Sequence, residues 1–244
     1  MDIAEKIKHC NEMINSSHRM VAFTGAGISA DSGIPTYRGD DGVWHKYDPA
    51  KYADINHYHQ NPAYYWRFFR EVRYPSIKGA EPNAAHHRLA ALEEQGALTT
   101  LITQNIDGLH HLAGSRNVLE LHGNTSRIRC LKCGIQYSMD DVYGMLDEML
   151  PPDCPACGGT LKPDVVFFGE SLDAGTLEAA VAAIRACELF VVVGSSLVVQ
   201  PAATLPVTAK ENGARVIIIN KDPTPLDDLA DVVIHAGAAD VLAG

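Results

Sequence analysis

Short apolar runs alternate along the chain with longer stretches whose apolar positions recur at helical spacing. MVAFT (residues 20–24), TTLIT (99–103), LFVVVG (189–194), RVIIIN (215–220) and DVVIHA (231–236) read as strands. LFVVVG and RVIIIN are apolar without interruption, the pattern of a parallel strand covered on both faces. At the start of the chain Ile3, Ile7, Cys10 and Ile14 line one side of an amphipathic helix, with charges between them. Further helices are predicted over residues 83–95, 177–187 and 202–211. Helices that separate strands in this way predict an α/β, doubly wound parallel sheet.

Two segments break the alternation. Residues 126–161 lose it and carry four cysteines in two pairs. Residues 40–77 are dense in aromatics and histidines and too long for an ordinary βα loop. The expected division is a larger sheet domain from residues 1–39, 78–125 and 162–244, and a smaller domain from 40–77 and 126–161.

Charge narrows the range of partners. Thirty Asp and Glu against twenty Lys and Arg give a net charge of -10, which argues against affinity built on nucleic-acid phosphates. A basic peptide suits such a surface better. No apolar stretch approaches the roughly 20 residues of a spanning helix, so no membrane role is expected and the cytoplasm is the expected compartment.

GAGISADSGIPTYRG (residues 25–39) begins as a dinucleotide loop. Gly25, Gly27 and Ala30 keep the G-x-G-x-x-G/A spacing behind a strand, so that backbone N–H groups can approach a pyrophosphate. A hydride-transferring unit would next place an acid after a second strand, about 20 residues on. This chain continues instead through Gly33, Pro35, Tyr37 and Arg38, an extension expected to cover the nicotinamide end. The dinucleotide is therefore expected to serve something other than redox chemistry.

Other polar residues stand at predicted strand ends, where open α/β sheets bind ligands. Gln104, Asn105 and Asp107 follow TTLIT and suit ribose hydroxyls or a carboxamide. Gly194, Ser195 and Ser196 follow LFVVV and suit a phosphate. Asn220 ends RVIII and could read a ribose or an adenine edge. Singly, such residues also cap helices or make turns; their joint placement points to a site. Among 11 histidines, His122 stands out because Gly123 permits close approach and an imidazole titrates near neutral pH. His86, His87, His110 and His111 read as structural.

Cys130-x-x-Cys133 and Cys154-x-x-Cys157 have the spacing of a structural zinc site. Four thiolates close the tetrahedral shell and leave no position for chemistry. A disulfide framework suits a cytosolic protein poorly, and thioredoxin-like chemistry uses one such pair. Cys10 and Cys187 read as buried small hydrophobes.

Taken in order, GAGIS, SGIP with Arg38-Gly39, TQNID, His122-Gly123, the two cysteine pairs, KPDVVFFGE, GSSLVVQP and Asn220 resemble the sirtuins, NAD-dependent protein lysine deacylases, as a prokaryotic-type catalytic core. Tyr37 stands where the family usually has Phe. The resemblance implies a Rossmann-like domain, a small domain with structural zinc, and a cleft that NAD and an acyl-lysine protein or peptide enter from opposite sides. It implies NAD contacts at Gly25, Ala26, Gly27, Ala30, Tyr37, Arg38, Gln104, Ile106, Asp107, Gly194, Ser195, Ser196, Asn220, Lys221 and Ala238. It makes His122 the general base, with Asn105 and Asp107 orienting ribose and carboxamide. Val166, Phe168 and Gly169 would form the acyl-lysine tunnel.

Family members that remove succinyl or malonyl groups carry a Tyr and, three residues later, an Arg in the small domain. Phe69 and Val72 fall at those positions, and Tyr64 and Arg67 lie several residues early. Phe69 and Val72 are thus expected to border the acyl group, and an uncharged acyl group, acetyl first, is expected. Two other readings stay open: a protein ADP-ribosyltransferase on the same scaffold and a non-catalytic zinc-ribbon adaptor. A hydride-transferring dehydrogenase is a more distant third.

Overall fold

Nine strands form two sheets in a computed structural model that describes residues 2–39 and 42–243. Asp40, where the first expected insert begins, lies outside the described residues. In chain order the strands are β1 (Met20–Thr24), β2 (Leu98–Thr103), β3 (Val118–Glu120), β4 (Gly123–Cys130), β5 (Gln136–Ser138), β6 (Leu161–Val165), β7 (Leu189–Val193), β8 (Arg215–Ile219) and β9 (Val232–Ile234).

Six strands pair in parallel in the order β3-β2-β1-β7-β8-β9. That is the 3-2-1-4-5-6 order of a dinucleotide-binding sheet, with the order reversing between β1 and β7. All five residues of β1 and all five of β7 are buried, as their unbroken apolar sequences require. One face is covered by the helices Ile3–Asn15 and Ala84–Glu94, which bring Met13, Ile14, Leu89 and Leu92 onto Met20, Leu101 and Val191. The other is covered by the helices Ala174–Ala186 and Leu205–Glu211, which pack on Phe23, Phe190 and Ile218. Capping fixes where these helices start. Asp2 and Glu5 form a reciprocal capping box at the first, and the Asn83 side chain accepts the Ala85 N–H at the second. Cys10 and Cys187 are buried in these layers.

The small domain is built on the antiparallel sheet β5-β4-β6. Its core joins Ile128, Val142, Leu146 and Leu161 to Tyr58, Tyr65, Trp66 and Phe69 from the 40–77 segment, so the two inserts share one interior. Gly123 and Asn124 pair with Val165 and Asp164. The small sheet therefore reaches a few residues past the expected limits of 126 and 161, up to the peptide unit that follows His122. Gly123 has φ +74, and a Cβ there would lie 2.0 Å from the Asp164 carbonyl oxygen. Only glycine lets the chain pass from the large sheet to the small one so close behind that histidine.

Candidate active site

The crevice at the switch point follows from backbone contacts. The Gly27 N–H donates to the Gly194 carbonyl at 2.8 Å. A Cβ on Gly27 would sit 2.7 Å from Gly194 Cα, so the loops after β1 and β7 touch main chain to main chain. Beyond them a cavity of about 730 Å³ opens between the large sheet and the small domain, within the range of cofactor sites.

The cavity collects nearly every residue expected around NAD. Gly25, Ala26, Gly27 and Ala30 come from the glycine loop, and Tyr37 and Arg38 from its extension. Gln104, Asn105 and Ile106 follow β2; Gly194, Ser195 and Ser196 follow β7; Asn220 and Lys221 follow β8; Ala238 closes the far side. Asp107 lines a small recess off this cavity, together with Ala26, Tyr37, Asn105 and Ile106. His122, Val166, Phe168 and Gly169 form the wall toward the small domain.

Phe69 and Val72 are not on that wall, a correction to the sequence reading. Phe69 is fully buried in the small-domain core against Tyr65, Trp66 and Tyr74. The helix Ala63–Phe68 runs into a π turn at Phe69–Arg73, which rotates later side chains away from their α-helical directions. Trp44, Tyr65, Phe68 and Arg73 border the cavity instead. The aromatic density of residues 40–77 marked an insert in the sequence, but not which rings would face a cavity. Tyr64 lies beside Tyr52 and His57, and Arg67 is exposed.

The main chain fixes one ring nitrogen of His122. Its Nδ1 lies 3.1 Å from the Gln104 carbonyl oxygen, which can only accept, so Nδ1 carries the proton and Nε2 keeps its lone pair. The His122 carbonyl accepts from the Val166 N–H at 2.9 Å, tying the imidazole's own residue to the expected substrate strand. Burial lowers its pKa below the ordinary 6.5, an effect the Gln104 hydrogen bond only partly offsets. A general base must be neutral. The acid limb of kcat/KM against pH is therefore expected below 6.5, with the rate falling only as pH drops further; a limb at or above that value would contradict this role.

Asn105 and Asp107 are joined through Ser29, a residue the sequence did not single out. Asn105 Nδ2 donates to Ser29 Oγ at 3.1 Å, and Ser29 Oγ donates to Asp107 Oδ2 at 2.8 Å. Asp107 Oδ1 accepts the Leu109 N–H at 2.9 Å. Burial raises the Asp107 pKa above the usual carboxylate value, and these two hydrogen bonds pull against that shift. Gln104 Nε2 donates to Ser195 Oγ at 2.7 Å, linking the loops after β2 and β7. His86 and His110 are buried behind this network, beside Ser29 and Thr24.

The metal centre stands apart, in the small domain. The four sulfurs of Cys130, Cys133, Cys154 and Cys157 lie within 4.8 Å of one another. Cys130 and Cys157 are separated by 3.5 Å, and Cys133 and Cys154 by 3.7 Å, Sγ to Sγ. Tetrahedral zinc with Zn–S of about 2.3 Å needs sulfurs about 3.8 Å apart, so the set fits that ion. The Lys132 and Cys133 N–H groups point at Cys130 Sγ, and the Tyr137 hydroxyl lies 3.0 Å from Cys154 Sγ. These contacts orient the sulfurs as ligands.

A family model described as "Sir2 family" matches residues 25–201, from the glycine loop to the start of the phosphate-side helix. The chain belongs to the Sir2 family. It is 46% identical over 239 residues to "NAD-dependent protein deacylase 2" of Archaeoglobus fulgidus, covering 98% of this chain and 94% of that one. Among solved structures, a Sir2 bound to acetylated peptide superposes with a TM-score of 0.89 at 38% identity, covering 97% of this chain and 95% of the other. A Sir2 complex with peptide and NAD+ superposes at 0.88, also at 38% identity, with the same coverage. The Sir2 family match includes the irregular extension after the glycine loop, which begins as a 3-10 helix at Ala26–Ser32. The turns that follow carry Tyr37 to the recess.

Proposed function

We propose that the chain is an NAD-dependent protein lysine deacylase that releases nicotinamide and forms 2′-O-acyl-ADP-ribose. His122 carries this reading: a neutral imidazole with Nδ1 committed to a carbonyl and Nε2 free, on the wall between the dinucleotide loops and the substrate strand. When bound, NAD supplies an anomeric carbon made electrophilic by the departure of nicotinamide.

The rest is work for the chain's own residues. The Gly25 and Gly27 N–H groups are spent on the Val193 and Gly194 carbonyls, so the Ala26 N–H and the hydroxyls of Ser195 and Ser196 seat the phosphates. Asn105 and Asp107, fixed by Ser29, hold the carboxamide in its recess and exclude water from it. Val166, Phe168 and Gly169 receive an extended peptide by strand addition, and the acyl-lysine runs inward toward His122. Much of the rate enhancement is then orientation, since a weakly nucleophilic amide oxygen must be held against one carbon. Nε2 of His122 accepts the proton of a ribose hydroxyl and frees that oxygen to capture the acyl group. The NAD+ and acetylated peptide named for the similar Sir2 structures support the same two ligands here.

The test is mass spectrometry of NAD incubated with the protein, with and without an acetyl-lysine peptide. Nicotinamide should appear only with the peptide, with one O-acetyl-ADP-ribose for each lysine freed. Label transferred from NAD to protein would favour an ADP-ribosyltransferase, and peptide binding without turnover would favour an adaptor.

A further inference from the structure

One buried titratable side chain has no part in the chemistry above. His86 stands in the first turn of the helix Ala84–Glu94, fully buried. It lies behind Ser29 and not on the cavity wall. Its two ring nitrogens face different partners. Nδ1 meets the Asn83 main-chain N–H at 3.3 Å, a group that can only donate, so Nδ1 holds a lone pair. Burial lowers the His86 pKa to about 4, and His87 adds to the effect, so the ring is neutral and Nε2 carries its one proton. Nε2 lies 3.4 Å from Ser29 Oγ.

A hydroxyl has one proton to donate and two lone pairs with which to accept. At Ser29 both lone pairs are taken, one by His86 Nε2–H and one by Asn105 Nδ2 at 3.1 Å. The single proton is left for Asp107 Oδ2, 2.8 Å away. Asp107 Oδ1 already accepts the Leu109 N–H, so both oxygens are acceptors, as in an ionised carboxylate. Arg73, at the same recess, favours the same charge state. The other His86 tautomer would set an N–H against the Asn83 N–H, and its bare Nε2 would compete with Asp107 for the hydroxyl proton. The main chain around Ser29 does not depend on this ring. The Asn83 side chain donates to the Ile28 carbonyl at 2.7 Å and to Ser32 Oγ at 3.0 Å, which fastens the 3-10 helix Ala26–Ser32 to the helix start. What His86 adds is the direction of the hydroxyl.

We propose that His86 is a positioning residue for nicotinamide: its Nε2–H turns the Ser29 hydroxyl toward Asp107, so that the carboxylate meets the carboxamide as a fixed acceptor. No bond forms or breaks at His86, and it touches neither ligand. The inference rests on the deacylase reading and adds a residue to the support of its leaving group. Free nicotinamide, as a product, re-enters the same recess and inhibits. ADP-ribose shares the phosphates and riboses of NAD but has no carboxamide. A fault confined to the recess therefore separates the two inhibitors, and a general loss of structure does not.

The experiment follows deacetylation of an acetyl-lysine peptide by the full chain and measures the inhibition constants of nicotinamide and ADP-ribose. His86→Asn keeps an acceptor for the Asn83 N–H but does not reach Ser29. It should raise the nicotinamide constant about 10-fold, the worth of one hydrogen bond in a charged network, and lower kcat/KM for NAD by a similar factor. The ADP-ribose constant should stay within about twofold. His86→Gln, whose amide N–H reaches the Nε2 position, should restore most of the loss. His86→Leu, which fills the space without a donor, tests the same selective loss even if the asparagine variant fails to fold. A nicotinamide constant unmoved by these variants, or one that moves in step with that of ADP-ribose, overturns the positioning role alone. Wild type that frees no nicotinamide from NAD and the peptide overturns the deacylase reading and this role with it.

Discussion

His122→Ala is expected to lower kcat for deacylation by about a hundred-fold to ten-thousand-fold, the usual worth of a positioned general base. The imidazole borders the cavity and makes one polar contact among the described residues, to the Gln104 carbonyl, so its removal leaves Ser195, Ser196, Asn105 and Asp107 in place. Dissociation constants for NAD and peptide, measured by calorimetry, should change far less than kcat. That split marks an interaction made in the transition state and not in the bound ground state. O-Acyl-ADP-ribose should fall in step with freed lysine, because both depend on the oxygen that Nε2 activates. Turnover by the alanine variant within about threefold of wild type would remove His122 from the reaction.

Loss of the metal should be felt in stability before chemistry. Metal analysis of the purified protein is expected to give one zinc per chain, from the four-sulfur cluster. The cluster lies at one end of the small sheet, where Cys130 ends β4 and hydrogen bonds join it to the turn at Gly134 and Ile135. The small-domain core counts Cys130 and Cys154 among its buried residues, so opening the cluster also exposes apolar side chains. Structural zinc contributes folding free energy outright. A loss of about 4 kcal/mol in a chain of this size lowers Tm by about 8–16 °C. Cys154→Ser or a strong chelator should therefore shift the melting curve by at least that much. An unshifted curve for the serine variant, with no zinc detected, would refute the structural role.

The parallel sheet was legible in the sequence because burial on both faces leaves its mark on every residue of a strand. β1, β7 and β8 announce themselves as MVAFT, LFVVV and RVIII. β3 does not: it has three residues, all half-buried. β4 reads GNTSRIRC and alternates irregularly around a register shift, so its pairing with β6 depends on contacts distant in sequence. The gathering of the glycine-loop and strand-end residues at one cavity was legible for a related reason. Glycine spacing and strand ends are local signals, and the topology brings those ends together at one switch point. Ser29 carried no local signal; its role depends on Asn105 and Asp107 arriving from the neighbouring strand. Phe69 and Val72 were placed by counting from Asn61-Pro62 to the positions where related chains carry the Tyr and the Arg. A π turn is set by tertiary packing and not by composition, so that count fails after Phe68, and the same turn delivers Arg73 to the cavity.

The hydrogen bond from the Val166 amide to the His122 carbonyl means that the proposed platform for the incoming cargo and the proposed proton acceptor share a hinge point in the main chain. A polypeptide lying one residue out of step would tug on that hinge and tilt the ring from its mark. Mis-seated cargo is then rejected by slow reaction more than by weak attachment. Discrimination among lysines along one protein should accordingly be sharper in turnover than in occupancy.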